Sequence, residues 1–523
     1  MPKKYFNVAG PCHLSKHYML DPLRDSGEEL MDLIDQEQYF VIHAARQSGK
    51  TTLLLELVNK IEAEGKYYAL YCSLEKIQGI TDSKEAMPEI VDVLKMAFYG
   101  SNIPQAELFA KEPSGIGFAS MMQFELSKIA KTLDKPLIIF FDEADCLSES
   151  TLISFLRQLR DGYVSRSRIP FIHSLALVGM RNIRDYKARI RDNSATLGSA
   201  SPFNIAKESL TINTFTKDEI SELYSQHTAE TGQVFEPQVV DYIFEQTSGQ
   251  PWLVNAIACE CIEKMCKKDY TIPITQDMAK TAINTLILKR PTHFDSLMER
   301  LKEDRVRKVI QPLILGDDVD KTTDNYLYAK DLGLIKASNG KVEPANQIYA
   351  EVIVRYINQT AQEAIQNKKP DFNLPKYVVG NKIDVNCLLR DFQSFWRENS
   401  EIWVDLYEEG FYEYKEAAPH LVIQAFLQRV INGGGQIIRE MALGTKRADI
   451  CIEWENQKYP IELKILRSEK AKDLSQISTY IDKCGTNEGW LVVFDRDANK
   501  SWDEKLYVNE IEDAGKRITV FGC

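Results

Sequence analysis

The chain of 523 residues is 44% hydrophobic and 27% charged, with a formal net charge of −12. That length fits about three or four domains with sizeable cores. The negative balance excludes attraction of nucleic acid to the whole surface, so any DNA or RNA contact needs a local basic patch. No secretory leader is present and no apolar run nears the ~18 residues of a membrane span, so a cytoplasmic protein without membrane contact is expected.

Residues 1–38 carry F-N-V-A-G-P-C-H-L-S-K-H-Y-M-L-D-P-L-R-D, followed by a helix-like stretch near Glu28 to Asp35. Val41 to Leu53 then reads V-I-H-A-A-R-Q-S-G-K-T-T-L, a β-rich apolar run, a loop and the start of a helix. This order suits a phosphate-cradling loop. Backbone N–H groups of Ala45, Arg46, Gln47, Ser48 and Gly49 would wrap phosphates, Lys50 would reach the terminal pair, and Thr51, followed by Thr52, would offer Mg²⁺ its hydroxyl. The pattern G-x-x-x-x-G-K-S/T expects glycine where Ala44 stands, which forfeits easy access to positive φ. His43, ahead of the loop, reads as a packed neighbour.

Helical spacing continues over Thr51 to Ala63, Tyr67 to Leu74 reads as a strand, and Glu85 to Tyr99 and Phe118 to Thr132 read as helices. Pro136 to Leu147, P-L-I-I-F-F-D-E-A-D-C-L, is an apolar run ending in Asp142 and Glu143. Such a run predicts a strand buried on both faces of a parallel sheet, with its acids emerging at the ligand-binding carboxyl end. Asp142 would hold Mg²⁺ through water, and Glu143 would orient or deprotonate the attacking water. Phe171 to Met180 is a further short strand, and the alternation of strands with helices argues an α/β fold with helices on both sheet faces.

From Thr216 to Lys267 the pattern is wholly helical. Thr216 with Glu219 is a capping-box signature, and Gly249-Gln250-Pro251 breaks one helix and opens the next. Cys259, Cys261 and Cys266 lie on this stretch with no histidine nearby, and read as buried helix residues rather than metal ligands. The loop, the D-E strand end and the G-x-P segment together resemble an AAA-like ATPase of the STAND or archaeal-ATPase type. The resemblance implies ATP as ligand, Mg²⁺ as its companion ion, and a lid whose Pro251 faces the nucleotide. It also implies an adenine contact from His17, Tyr18 or Arg24, a γ-phosphate sensor at Arg181 or Asn182, and, in a homo-oligomer, arginine fingers at Arg184, Arg189 or Arg191. Packing, strand termination and surface charge are the alternative roles of these residues.

Asp304 to Leu315, Asp324 to Leu334 and Asn346 to Tyr356 predict helices, with a hairpin turning at Asn339-Gly340. This order resembles a winged helix. Asp324 and Asp331 against Lys330 on its second helix favour a regulatory module over a DNA reader. Asn367 to Pro375, N-K-K-P-D-F-N-L-P, reads as a linker, and Asp384 to Glu409 as an aromatic-rich helix.

The last stretch predicts a helix over Lys415 to Val430, a stop at Gly433-Gly434-Gly435, and strands over Gln436 to Glu440, Arg447 to Trp454 and Lys458 to Leu466. Asn456-Gln457 falls at the turn of the last two. Pairing them as a hairpin brings Asp449 and Glu462 together near one sheet edge, with Lys464 on the face of Glu462. Two carboxylates to hold Mg²⁺ and a lysine to position the nucleophile or neutralise charge are what metal-assisted phosphodiester hydrolysis needs. D-x(12)-E-x-K resembles the PD-(D/E)XK nuclease superfamily, although Ala448 replaces the usual proline. Gln476 and Tyr480, sharing a helix face, match its Q-x-x-x-Y element, and Glu416 or Glu440 matches an additional acid. Arg429, Arg439, Lys446, Arg447 and Arg467 would supply positive surface for a DNA or RNA backbone.

The layout expected is therefore an α/β multidomain chain: a P-loop parallel sheet (1–215), a helical lid (216–300), a winged helix (301–366), a linker with a packing helix (367–400) and a C-terminal PD-(D/E)XK α/β domain (401–523). The whole resembles AAA-like ATPases fused to such a domain, which implies a nucleotide-gated nuclease and, by analogy of architecture, anti-phage defence. Two alternatives stay open: an ATP-dependent nucleic-acid remodeller with a non-cleaving nuclease fold, and a regulatory nucleotide switch acting through protein partners.

Overall fold

A computed structural model describes residues 4–104, 116–180, 205–315, 318–338, 340–353, 355–356, 374–398, 450–455, 457–466, 475–495, 500–513 and 515–523, with short pieces at 419, 422–424, 426–427 and 436–438. The chain divides into two units: Met1–Lys289 with Asp331–Gly333, and Arg290–Lys330 with Leu334–Cys523.

In the first unit, strands β1 (Tyr39–His43), β2 (Tyr68–Ser73), β3 (Leu137–Asp142), β4 (Ser174–Gly179) and β5 (Ala206–Thr211) form a sheet of order β2-β3-β4-β1-β5. Every neighbouring pair runs parallel. The apolar runs explain why. Tyr39 and Val41 of β1, with Leu137, Ile139 and Phe141 of β3, enter one core alongside α3 (Ser83–Tyr99), α4 (Met121–Thr132) and α5 (Glu149–Ser165). Phe40, Ile42, Ile138 and Phe140 enter the core on the opposite face, with α1 (Gly27–Asp35) and α2 (Lys50–Glu64). A strand covered on both faces has no use for alternating polarity. Burying each of its large side chains contributes about 1.5–3 kcal/mol.

Among the described residues, four α-helices complete this unit: α6 (Lys217–Thr231), α7 (Pro237–Thr247), α8 (Pro251–Cys259) and α9 (Gln276–Lys289). The capping box is present, with Thr216 Oγ1 accepting from the Glu219 N–H and Glu219 accepting from the Thr216 N–H. Helix α8 runs into a π-helical turn, Glu260–Met265; Cys261 is buried within it and Cys266 directly after it, whereas Cys259, expected to be buried, is half-buried.

The second unit begins with α10 (Thr292–Leu301), α11 (Asp304–Leu315) and α12 (Asp324–Asp331, of which Asp331 counts with the first unit), then the hairpin β6 (Ile335–Ser338) and β7 (Lys341–Pro344). Ser338 pairs with Lys341, so the chain reverses at the expected Asn339-Gly340, where Gly340 supplies φ +81°; Asn339 itself lies outside the described residues. The short pair β8 (Val378–Val379) and β9 (Lys382–Ile383) precedes α13 (Val385–Glu398), the first part of the predicted aromatic-rich helix.

The larger sheet of this unit comprises β10 (Gln436–Ile438), β11 (Ile450–Trp454), β12 (Gln457–Leu466), β13 (Glu488–Asp495), β14 (Val508–Asp513) and β15 (Lys516–Gly522), in the order β10-β11-β12-β13-β15-β14. Its first three strands are antiparallel, and β12, β13 and β15 run parallel. Helix α14 (Ser475–Cys484) makes the crossover from β12 to β13, as parallel neighbours require. Leu388, Leu389, Phe392 and Phe395 of α13 share one core with Tyr459, Ile461 and Leu463 of β12. Ile477 and Ile481 of α14 share another with Leu491 and Val493. Among the described residues no helix is long and apolar enough to cross a membrane.

Candidate functional site

The phosphate loop leaves the carboxyl end of β1, and the Ala44 N–H donates to the Gly179 carbonyl at 3.1 Å, holding the first loop residue against β4. The left-handed positions of the loop are Gln47 (φ +56°) and Gly49 (φ +96°), not Ala44. The glycine missing from the pattern is therefore not needed for backbone conformation here. Gln47 carries the strain, of order 1–3 kcal/mol for such a residue.

Lys50 opens α2 and is only 7% exposed. Its Nζ donates to the carbonyls of Ala44 (3.0 Å) and Ala45 (2.9 Å). Ser48 Oγ donates to the same Ala45 oxygen at 2.8 Å. Burial lowers the Lys50 pKa, while Glu143, Asp142 and Asp145 oppose the fall.

Asp142 closes β3 and is 1% exposed. Its Oδ2 accepts from Thr51 Oγ1 at 2.8 Å and from Tyr71 Oη at 3.0 Å, and its Oδ1 accepts from the Glu143 N–H at 3.0 Å. Glu143 itself turns out of the strand at φ +55°. Burial lifts its carboxyl pKa above the ordinary glutamate value; Lys50 opposes the rise, and Asp142 and Asp145 add to it. Asp145 accepts from the Met180 N–H, fixing the end of β4. Arg181, Asn182, Arg184, Arg189 and Arg191 lie outside the described residues.

Two further segments meet this loop. The Cys12 N–H donates to Thr52 Oγ1 at 3.0 Å, and Trp252 Nε1 of α8 donates to the Val8 carbonyl at 2.9 Å. Gln250, buried, accepts from the Leu253 N–H through Oε1 and donates through Nε2 to the Gln47 carbonyl at 3.3 Å. Pro251 is the buried first residue of α8. At Gly249 (φ +74°) an added Cβ would collide with the Phe215 carbonyl.

The residues proposed for adenine are engaged elsewhere. Tyr18 Oη donates to Glu230 at 2.6 Å, His17 Nδ1 accepts from the His13 N–H at 2.9 Å, and Arg24 pairs with Glu219 and lies over the Phe215 ring. All three fasten the start of the chain or pack it against the helices after β5. His43 behaves as a packed neighbour: Nδ1 lies 3.1 Å from Ser209 Oγ and Nε2 3.6 Å from Asp331 Oδ1.

In the second unit Glu462 is 0% exposed and Lys464 7%, and Lys464 Nζ lies 3.8 Å from Glu462 Oε1. Both leave the face of β12 opposite to Ile461 and Leu463. β11 and β12 pair as a hairpin, Ile450 opposite Ile461. The turn falls one residue earlier than expected, because Gln457 already belongs to β12 and pairs with Trp454. Asp449, directly before Ile450 in the chain, lies outside the described residues, as do Glu416, Glu440, Gly433-Gly434-Gly435, Arg429, Arg439, Lys446, Arg447 and Arg467. Gln476 is in α14, four residues before Tyr480.

The family model for an AAA-like domain matches residues 14–355. The chain belongs to the AAA-like domain family. With its parallel sheet and phosphate loop, this AAA-like chain is a P-loop ATPase. Among solved structures it is similar to the Walker-type ATPase PABY2304 of Pyrococcus abyssi (14% identity, TM-score 0.47, 66% of this chain and 99% of that one). It is also similar to the RuvB Holliday junction branch migration motor of Thermotoga maritima (13%, 0.34, 63% and 94%) and to Cdc6p of Pyrobaculum aerophilum (15%, 0.36, 65% and 95%). No curated protein matches the AAA-like chain.

Sequence reasoning passed over Tyr71 and Asp145, and in the segment before the loop it named His17, Tyr18 and Arg24 rather than Val8 and Cys12. Only the strand register, which sets Ser73 opposite Asp142 and Tyr71 two residues before it, carries the first of these.

Proposed function

We propose that this AAA-like ATPase couples the state of an ATP–Mg²⁺ complex to a nuclease in residues 401–523 that cuts DNA or RNA, in a role such as defence against phage. Thr51 Oγ1 and Asp142 would hold the first ion, since both present oxygen to a hard cation. Bound there, Mg²⁺ offsets phosphate charge. Lys50 would exchange its loop carbonyls for phosphate oxygens, and Glu143, whose pKa burial has raised, would take the proton of the attacking water. Gln250 ties the lid helix to the loop, which supports a lid that follows the nucleotide.

The observation that carries the nuclease reading is the buried Glu462–Lys464 pair on the inner strand of the β11–β12 hairpin. A carboxylate and an ammonium withheld from water on one strand are costly to keep unless they serve a site. Asp449 and Glu462 would hold a second Mg²⁺, with Lys464 neutralising charge on the scissile phosphate. Helices α11 and α12 with the β6–β7 hairpin follow winged-helix order and would act as the regulatory module between the two chemistries.

The test is incubation of the full chain with plasmid, single-stranded DNA and RNA, with Mg²⁺ or Mn²⁺, with and without ATP. Cleavage that needs metal, responds to ATP and disappears in Glu462→Ala is expected. ATP turnover without cleavage of any of the three substrates would remove the nuclease and leave a remodeller or a nucleotide switch.

A further inference from the structure

The carboxylate of Asp142 receives three hydrogen bonds, and one donor belongs to none of the motifs around it. Thr51 and the Glu143 backbone come from the phosphate loop helix and the D-E turn. The third donor, Tyr71 Oη, arrives from β2 and lands on Oδ2, the oxygen that Thr51 also addresses. In the register of β2 against β3, Ser73 is opposite Asp142 and Tyr71 opposite Phe140. The phenol thus reaches along the sheet edge from two residues back.

We infer that Tyr71 is a positioning residue for the metal-holding carboxylate: its hydroxyl locks the plane of Asp142 so that Thr51 Oγ1 and the carboxylate face one cation together. The geometry supplies the reason. A carboxylate with only Thr51 on Oδ2 and a backbone N–H on Oδ1 can swing about its last side-chain bond, and a second, rigid donor on Oδ2 removes that freedom. A phenol does this with few rotors of its own to freeze. The inference rests on the ATP–Mg²⁺ reading above.

Tyr71→Phe removes one oxygen and leaves the ring packing in place. Binding of a fluorescent ADP analogue is followed by anisotropy, first in EDTA and then against rising Mg²⁺, alongside thermal melts. A hydrogen bond to a charged group is worth about 1.5–3 kcal/mol, so the Mg²⁺ needed for half of the metal-dependent gain should rise about tenfold or more. Affinity in EDTA should stay as in wild type, and the melting temperature should fall by only a few degrees, as the loss of one hydrogen bond to a buried carboxylate requires. In an Asp142→Asn background the same change should have no further effect on the Mg²⁺ midpoint, as a shared pathway requires. An unchanged midpoint overturns the inference, and so does an equal loss of affinity with and without metal, which would mark Tyr71 as a structural residue only. A wild-type chain that binds no nucleotide in either condition would instead sink the ATP–Mg²⁺ reading.

Discussion

Gln250 Nε2 reaches the Gln47 carbonyl at 3.3 Å while Gln250 Oε1 caps helix α8 at Leu253, so one side chain joins the start of α8 to the strained residue of the phosphate loop. The two functions separate by mutation. Gln250→Glu keeps an acceptor for the cap and loses the donor. It should melt close to wild type yet bind ADP several-fold more weakly. Gln250→Ala loses both, and its unfolding free energy should fall by about 1 kcal/mol as well. Denaturant melts and ADP titrations of the two variants check this.

Gly249 and Gly10 both occupy positive φ, at +74° and +68°, but only Gly249 has backbone in the way of a Cβ. Gly10→Ala should cost about 1–2 kcal/mol, the backbone preference alone. Gly249→Ala must displace Phe215 too, and should lose more than about 3 kcal/mol or fail to accumulate folded. Urea midpoints of the two variants, measured side by side, check the difference.

Glu143 has its folded pKa raised by burial above the ordinary 4.5. Between 4.5 and that raised value the folded chain keeps a proton that the unfolded chain has lost, so stability falls as pH rises through this window. Glu143→Gln abolishes the dependence. The variant should melt above wild type at pH 7.5 and level with it at pH 4, while ATP hydrolysis drops about 100-fold or more. Thermal melts across pH and steady-state phosphate release check both signs.

Lys464→Ala removes the ammonium 3.8 Å from the buried Glu462 carboxylate, a loss expected to cost about 3–5 kcal/mol. Glu462→Gln together with Lys464→Met removes both charges at similar volume and should recover most of that stability. The double variant should show no nuclease activity at any metal concentration. Melting curves and plasmid cleavage on the three proteins separate the structural contribution of the pair from its chemistry.

The parts of the fold that could be read in advance are those where burial leaves a compositional mark. Val41 and Ile42, and Leu137 to Phe141, lie in strands covered on both faces, and such segments read as continuous apolar runs. Thr216 and Glu219 announce a helix start because two orphan N–H groups need their side chains. Tyr71 left no such mark. In Y-A-L-Y-C-S it reads as one more strand aromatic, and its value depends on a register visible only in three dimensions. Tyr18 and Arg24 suited a nucleobase and a helix surface equally well by residue type; in the structure Tyr18 donates to Glu230 and Arg24 lies over the Phe215 ring. The concern over Ala44 came from treating a loop pattern as if each glycine served the same conformation, whereas positive φ falls at Gln47 and Gly49. In the hairpin of the second unit, Asn456 drew the turn one place too far along the chain, because turn propensity locates a reversal less sharply than strand pairing does.

The bond from Trp252 to Val8 spans 244 residues of sequence. At ribosomal speeds of about 5–20 residues per second, roughly 10–50 s pass between the synthesis of these two partners. The nascent amino-terminal segment must wait through most of that interval with Phe6 and Tyr18 lacking their later companions Tyr224, His227 and Glu230. Translation rate and chaperone capture of the first forty residues therefore become determinants of yield, and a pause placed after Trp252 has emerged from the ribosome should favour correct closure.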